Sequence, residues 1–190
     1  IQEEKPDYLA VAFDLKAPTF RHLQYKDYKA GRKETPEELI PQFDLLKETL
    51  GELGIAVLSC EGYEADDILG AMGELAKQNH CQALLVTGDK DALQLVGGPV
   101  KVLYTKRGIS DTDLMDAEAV KQKMGVYPEL VADLKGLMGD SSDNIPGVPG
   151  VGPKTAAKLL DKFGTLEEVL AHADEAGGPK LRQSLATYAE

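Results

Sequence analysis

Three brief apolar runs, at residues 9–13, 55–58 and 83–86, most constrain how this chain can fold. Each is short, rich in Val, Ile or Leu, and bounded by polar residues, the pattern of a strand buried on both faces. Helical patterns lie between them. Thr35-Pro36-Glu37-Glu38 reads as an N-cap, a proline at the first helical position and an acidic first turn, followed by Leu39, Phe43, Leu46 and Leu50 at helical spacing up to Gly51. A second helix is expected over 65–78, with Ile68, Met72, Leu75 and Ala76 on one face. Strand, helix, strand, helix, strand predicts an α/β domain with a mostly parallel central sheet flanked by helices, and a further strand fits residues 100–104.

Past Asp116 the pattern turns helical, over roughly 116–124, 128–138 and 153–163, with Gly164 as a stop signal. The connection 139–152 is dense in Gly and Pro. The tail from Thr165 reads as one or two short helices broken at Gly177-Gly178-Pro179. The expected organisation is therefore an α/β core over 1–115 and a helical subdomain over 116–190, with no internal repeat and no flexible interdomain linker.

With 43% hydrophobic side chains, 190 residues are enough for one substantial core or a core plus a small module. The longest apolar run, residues 8–13, is far short of the ~20 residues that a membrane helix needs. Cys60 and Cys81 alone cannot build a disulfide framework or a four-ligand zinc site, so a reduced, cytosolic compartment is expected. The chain begins with Ile1, as a fragment of a longer protein would.

A formal charge of −11 argues at first against a nucleic-acid partner. Screening, however, limits exposed charges to a reach of ~8 Å at physiological salt, so local patches decide what binds. Residues 21–33 carry Arg21, Lys26, Lys29, Arg32 and Lys33 against Asp27, with Tyr25 and Tyr28 interleaved. The acidic residues concentrate elsewhere, at 61–67, 89–91 and 140–143.

Every predicted strand end carries acid. The first run ends in Asp14, the second leads into Glu64, Asp66 and Asp67, and the third ends at Asp89 and Asp91. In a parallel sheet the ligand site lies beyond these carboxyl ends, so connectivity brings the six acids to one edge. Ordinary readings exist for each: acids suit the first turn of a helix, and Asp closes turns after strands. Neither explains the convergence. Two carboxylates ~4 Å apart repel by ~4 kcal/mol at an effective dielectric of 20, and divalent cations are the natural compensation. Oxygen ligands without Cys or His select Mg²⁺ or Mn²⁺. Two such ions would stabilise both the attacking water and the leaving oxygen of a phosphodiester displacement.

The motifs Gly62-Tyr63-Glu64-Ala65-Asp66-Asp67, Thr87-Gly88-Asp89-Lys90-Asp91-Ala92-Leu93-Gln94-Leu95 and Gly139-Asp140-Ser141-Ser142-Asp143-Asn144-Ile145-Pro146-Gly147, in this order, resemble the 5′ nuclease (flap endonuclease-like) family. The likeness is greatest to the 5′→3′ exonuclease domain of bacterial DNA polymerase I and covers nearly the whole chain. It implies a PIN-like α/β fold and a magnesium-dependent exonuclease or flap endonuclease of DNA replication and repair. It further implies Asp14, Glu64, Asp66 and Asp67 as ligands of one ion, and Asp89, Asp91, Asp140 and Asp143 as direct or water-mediated ligands of a second. Residues 21–33 resemble the start of the family's arch, which makes Lys29 and Arg32 grips for the scissile phosphate, Arg21 a DNA contact, and Tyr25 or Tyr28 a platform for an unpaired base.

Residues 147–157, Gly-Val-Pro-Gly-Val-Gly-Pro-Lys-Thr-Ala-Ala, resemble a helix-hairpin-helix. Gly150, Val151 and Gly152 would let the backbone approach a phosphate, while Thr155 and the charges of Lys154 and Lys158 add to the contact without reading sequence. In the family this element holds the duplex, often with a bound K⁺. The implied partners are DNA with a 5′ end or flap and a polymerase region in the parent chain; a monomer with no membrane association is expected.

Two other readings stand beside this one. Asp89 as nucleophile and Asp91 as acid would suit a phosphatase of the haloacid dehalogenase type. The hairpin and basic stretch alone would suit a catalytically silent DNA-binding module. Family members begin with a strand carrying a further Asp ligand, and nothing before Asp14 matches it. The resemblance therefore implies that these 190 residues alone are weakly active and prone to self-association.

Overall fold

The structure, a computed structural model, describes residues 1–107 and 111–188, with Arg107 described by its backbone alone. The last two residues of the expected helical tail lie outside the described residues. The chain forms two compact units, Ile1–Ala71 and Met72–Glu190.

In the first unit, β1 (Ala10–Ala12) and β2 (Ala56–Leu58) pair in parallel, with Val11 opposite Val57. The Phe13 N–H extends the ladder to the Leu58 carbonyl at 2.9 Å. Two helices lie between them, α1 (Phe20–Gln24) and α2 (Ile40–Glu52). The predicted N-cap of α2 at Thr35 lies four residues too early, since the helix is capped at Leu39. Pro41 has no N–H to give to a carbonyl one turn back, so it fits only the first turn of a helix. Residues 36–39 instead make a separate turn, closed by the Leu39 N–H on the Pro36 carbonyl at 2.9 Å. No residue of α2 is buried, and Leu39, Phe43 and Leu46 of its expected apolar stripe are exposed. Among the described residues of this unit, Thr19 and Tyr28 are the buried ones.

Helix α3 (Ala65–Gln78) begins in the first unit and ends in the second. Its bounds match the expected 65–78, but its expected inner face does not. Met72 and Leu75 are exposed, and the buried position is Gly73, where the backbone comes close to Val100.

The second unit holds a three-stranded ladder. Strand β3 (Ala83–Thr87) runs parallel to β4 (Val100–Arg107), and β4 runs antiparallel to β5 (Asp111–Met115). Sequence periodicity gives β3 and most of β4 but misses β5, whose Asp-Thr-Asp start hides a strand apolar only at its end. The helices follow as α4 (Ala117–Met124), α5 (Val131–Met138), α6 (Pro153–Phe163), α7 (Leu166–Ala171) and α8 (Pro179–Thr187). Asp116 caps α4, accepting from the Ala119 N–H at 2.9 Å, and Gly125 ends it at φ +84°. Asp133 of α5 accepts the Leu166 N–H at 3.0 Å, so α5 helps cap the start of α7.

The fully buried Leu93, Val100, Val102, Val120, Val131, Leu134, Leu137, Leu160, Val169 and Leu185 all belong to this unit. Each contributes ~1.5–3 kcal/mol relative to exposure, so its helices and ladder rest on a continuous apolar interior.

The connection between α5 and α6 is folded back on itself. Gly139 turns at φ +76°, and Asp140 and Ile145 then exchange backbone hydrogen bonds of 2.8 Å in both directions. This draws the backbones of Gly139 and Gly147 into contact. A Cβ on Gly147 would collide with Gly139 N and the Met138 carbonyl group. Gly150, at φ +84°, faces open space instead. Gly147→Ala is therefore expected to destabilise the protein by about 3 kcal/mol. Gly150→Ala is expected to cost only about 1–2 kcal/mol of left-handed strain. Urea unfolding of the two variants checks this, and equal losses would contradict the backbone contact.

Candidate functional site

The first unit gathers its charged groups around the start of α3. Arg21 of α1 forms two parallel bonds with Asp67, Nη1 to Oδ2 and Nη2 to Oδ1, both 2.8 Å, and lies 3.7 Å from Glu64. Lys29 donates to Glu64 Oε1 at 2.7 Å, and the Tyr28 hydroxyl donates to Glu64 Oε2 at 3.0 Å. Asp67 Oδ2 also accepts the Glu64 N–H at 2.8 Å, and Asp14 Oδ1 accepts the Ala65 N–H at 2.7 Å. Asp14 and Asp67 thus take two of the N–H groups that the first turn of α3 leaves without intrahelical partners. The Asp67 hydrogen bond raises the Arg21 pKa, and the same bond holds the Asp67 carboxyl below the usual range. Asp66 is half-buried.

Lys29 adopts φ +57°, a left-handed conformation that a non-glycine residue holds only where its surroundings impose it. The shared hold of Tyr28 and Lys29 on Glu64 is such a constraint. Tyr28 is 5% exposed, with its ring edge-on to His22 at 5.1 Å. Of the two tyrosines expected to offer a stacking surface, Tyr25 is the more open, at 37% exposure. Lys26, Arg32 and Lys33 are exposed around it.

In the second unit Asp89 and Asp91 follow β3. The Thr87 hydroxyl accepts the Asp89 N–H at 3.0 Å, and Asp89 Oδ1 accepts the Asp91 N–H at 2.9 Å, a local turn that leaves Asp89 exposed. Asp91, Asp140 and Asp143 converge: one carboxylate oxygen from each lies within 4.8 Å of the others, the one such acidic group among the described residues. Three oxygens and no nitrogen or sulfur form a donor set that fits a hard divalent ion. The second predicted ligand set is thus largely brought together, with Asp89 beside it but outside the group. The first set, Asp14, Glu64, Asp66 and Asp67, forms no such group.

Lys135, which sequence reasoning passed over, bonds to both Asp91 Oδ1 and Asp140 Oδ2. Asp140 Oδ1 accepts from the Ser142 N–H at 2.8 Å and its hydroxyl at 2.6 Å. Burial opposes ionisation of Asp140, but the bonds from Lys135 and Ser142 outweigh it and hold the carboxyl at about 2. Burial likewise works against the Lys135 ammonium, and its two carboxylate partners more than offset it. At Asp91 the loss of water dominates and pushes the carboxyl up despite the lysine. The crowded acids were expected to need divalent cations for compensation; Arg21, Lys29 and Lys135 show that basic side chains provide part of it.

The hairpin follows directly from Asp143. Val148 and Val151 are buried, and the Val151 N–H is used on the Val148 carbonyl at 2.9 Å. Val151 is therefore an internal anchor, and the Thr155 N–H is likewise engaged, on Gly152 O at 3.0 Å. Gly150 and Gly152 have open space where a Cβ would stand, and Lys154 and Lys158 are exposed.

The capping bond of Asp14 separates a structural role from a charge role. Asp14→Ala is expected to lower stability by about 1 kcal/mol. Asp14→Asn keeps an acceptor oxygen and is expected to cost only a few tenths of that. Thermal melts in chelator give the comparison, and identical losses in the two variants would exclude the cap.

Two known protein families match consecutive parts of the chain, dividing it at 125/126 rather than between the two compact units. Residues 1–125 match the 5′-3′ exonuclease, N-terminal resolvase-like domain, and residues 126–190 match the 5′-3′ exonuclease, C-terminal SAM fold. DNA polymerase I of Bacillus caldotenax is 49% identical over 190 residues, which are 100% of this chain and 22% of that protein. DNA polymerase I of Bacillus subtilis is 45% identical over 188 residues, covering 99% of this chain and 21% of that protein. The chain thus spans about a fifth of the length of these relatives. Among solved structures, the T5 D15 protein co-crystallised with metal ions has a TM-score of 0.85 at 24% identity, covering 100% of this chain and 74% of that one. The catalytic core of Rad2 in complex with DNA substrate has a TM-score of 0.55 at 21% identity, covering 94% and 58%. These two likenesses are of fold. With both of its parts matched in order, the chain belongs to the 5′-3′ exonuclease family.

Proposed function

We propose that this chain is the 5′-nuclease part of a DNA polymerase I-like protein, hydrolysing DNA phosphodiesters at 5′ ends or flaps in the bacterial cytosol. The observation that carries this reading is the convergence of Asp91, Asp140 and Asp143, from segments far apart in sequence, on an all-oxygen donor set. The two ions implied by the family, Mg²⁺ or Mn²⁺, would be held by Asp89, Asp91, Asp140 and Asp143 in the second unit and by Asp14, Glu64, Asp66 and Asp67 in the first. A divalent ion bound there supplies Lewis acidity and an activated water.

The chain's own residues do the rest. Lys29 and Arg32 bind the phosphate whose charge grows during cleavage, and Lys29 exchanges its bond to Glu64 for that contact. Arg21 steadies the start of α3 through Asp67. Tyr25 stacks on an unpaired base. Gly150 and Gly152 admit a phosphate close to the backbone, with Lys154 and Lys158 adding charge, so residues 116–190 act as the duplex-holding subdomain, with or without K⁺ at the hairpin. The protein works as a monomer.

Incubation of a 5′-labelled flap duplex with and without Mg²⁺ tests the reading; a short 5′-terminal product is expected only with the metal. Asp143→Asn is expected to reduce cleavage by at least about 100-fold while leaving DNA affinity nearly unchanged, because the ligands act on the reaction and other residues hold the DNA. Lys29→Ala is expected to slow single-turnover cleavage by more than it weakens binding. Equal losses in rate and affinity would reduce Lys29 to a general phosphate contact.

A further inference from the structure

Lys135 stands near the end of α5, five residues before Asp140. The helix stops at Gly139, whose N–H donates to the Lys135 carbonyl at 2.7 Å, and its positive φ turns the chain so that Asp140 comes back over the last helical turn. The Lys135 ammonium meets Asp140 Oδ2 at 2.5 Å and also bonds to Asp91 Oδ1, a residue 44 positions away in the segment after β3. All three side chains are largely withdrawn from solvent, at 21%, 10% and 28% exposure for Lys135, Asp140 and Asp91. Asp140 spends its other oxygen, Oδ1, on Ser142. The oxygens that face the lysine therefore come from the two residues that converge with Asp143.

We propose that Lys135 is the resident cation of this carboxylate group. It holds Asp91 and Asp140 together when no metal is bound, and it gives up at least one of those bonds when a divalent ion enters. It is a positioning residue that sets metal affinity. The inference rests on the reading of Asp91, Asp140 and Asp143 as a metal site.

The charge balance supports the role. Three carboxylates against one ammonium leave two negative charges, which one divalent ion neutralises. Without a resident cation the three would repel one another in a site with little water, and the metal-free form would open. With it, the group is preformed, and the entering ion competes with a tethered positive charge. Removing that charge while keeping the aliphatic stem is expected to tighten metal binding and weaken the metal-free state. A lysine that merely fastened α5 to the turn after β3 would affect both states alike.

The test uses the full chain in wild-type, Lys135→Met and Lys135→Arg forms, each also carrying Asp143→Asn. Isothermal titration with Mn²⁺ alone isolates the binding component that Asp143→Asn removes, and thermal melts compare chelator with saturating Mn²⁺. That component is expected to be on the order of tenfold tighter in Lys135→Met. It is expected to return toward wild type in Lys135→Arg, and the gap between the two melting temperatures is expected to widen in Lys135→Met. Unchanged or weaker Mn²⁺ binding in Lys135→Met, with equal loss of stability in both conditions, overturns the proposal while leaving the metal site intact. A wild-type protein with no Mn²⁺ component sensitive to Asp143→Asn overturns the metal site itself, and the proposal with it.

Discussion

Carboxylates brought together by a fold must be neutralised, and in each unit the partner cation is a basic side chain of the same unit. Arg21 and Lys29 meet Asp67 and Glu64, and Lys135 meets Asp91 and Asp140. Pairs of this kind contribute little net stability when exposed, but breaking one that is half-buried leaves a charge without its partner, which is costly. The arrangement therefore works by constraint. Glu64 faces Tyr28 and Lys29 together with Lys29 in a left-handed conformation, and Asp140 faces Lys135 where Gly139 turns the chain back. Local backbone geometry and local charge are set by each other.

The two units differ in what holds them. The second has a continuous apolar interior from Leu85 to Leu185, and the carboxylates after β3 and α5 stand on elements fixed by it. In the first, α2 has no buried residue, and order around the start of α3 rests on hydrogen bonds and ion pairs: Asp14 to Ala65, Arg21 to Asp67, Lys29 to Glu64. Interactions with charged groups weaken with salt and with the loss of a single partner, whereas an apolar interior does not respond to salt screening. The acidic group most fully assembled is accordingly the one built on the better-packed unit.

Much of this was legible in the sequence because the signals were local. The bounds of α3 and α6 and the Gly164 stop all follow from residue type and spacing. The failures share a cause as well. Pro41 overrode the capping pattern at Thr35, since a missing N–H is absolute while a cap preference is a matter of about 1 kcal/mol. Strand β5 lacks an apolar run because it pairs antiparallel at the margin of its ladder, where one face need not be buried. Lys135 was missed because a lysine on a helix is most often solvated, and its meaning depends on Asp91, 44 residues distant. The nearby signal was its position one turn before Gly139-Asp140, which is visible only once the glycine is read as a reversal.

That reversal ties the acidic group and the hairpin to one piece of backbone. Asp140 and Ile145 are paired, Gly139 and Gly147 are in contact, and the Val148 N–H returns to the Leu137 carbonyl at 2.9 Å, so residues 137–148 form a closed, cross-braced loop. Asp140 and Asp143 project from this loop, and the hairpin that leads into α6 leaves from its end. A displacement of the hairpin cannot be absorbed between Asp143 and Gly150 without breaking the Val148 bond or separating Gly139 from Gly147. In well-packed structures such contacts have discrete arrangements rather than continuous play. Whatever the hairpin holds is thereby kept at a fixed reach from Asp140 and Asp143, and the density of glycine in this stretch follows from the need to pass backbone against backbone while doing so.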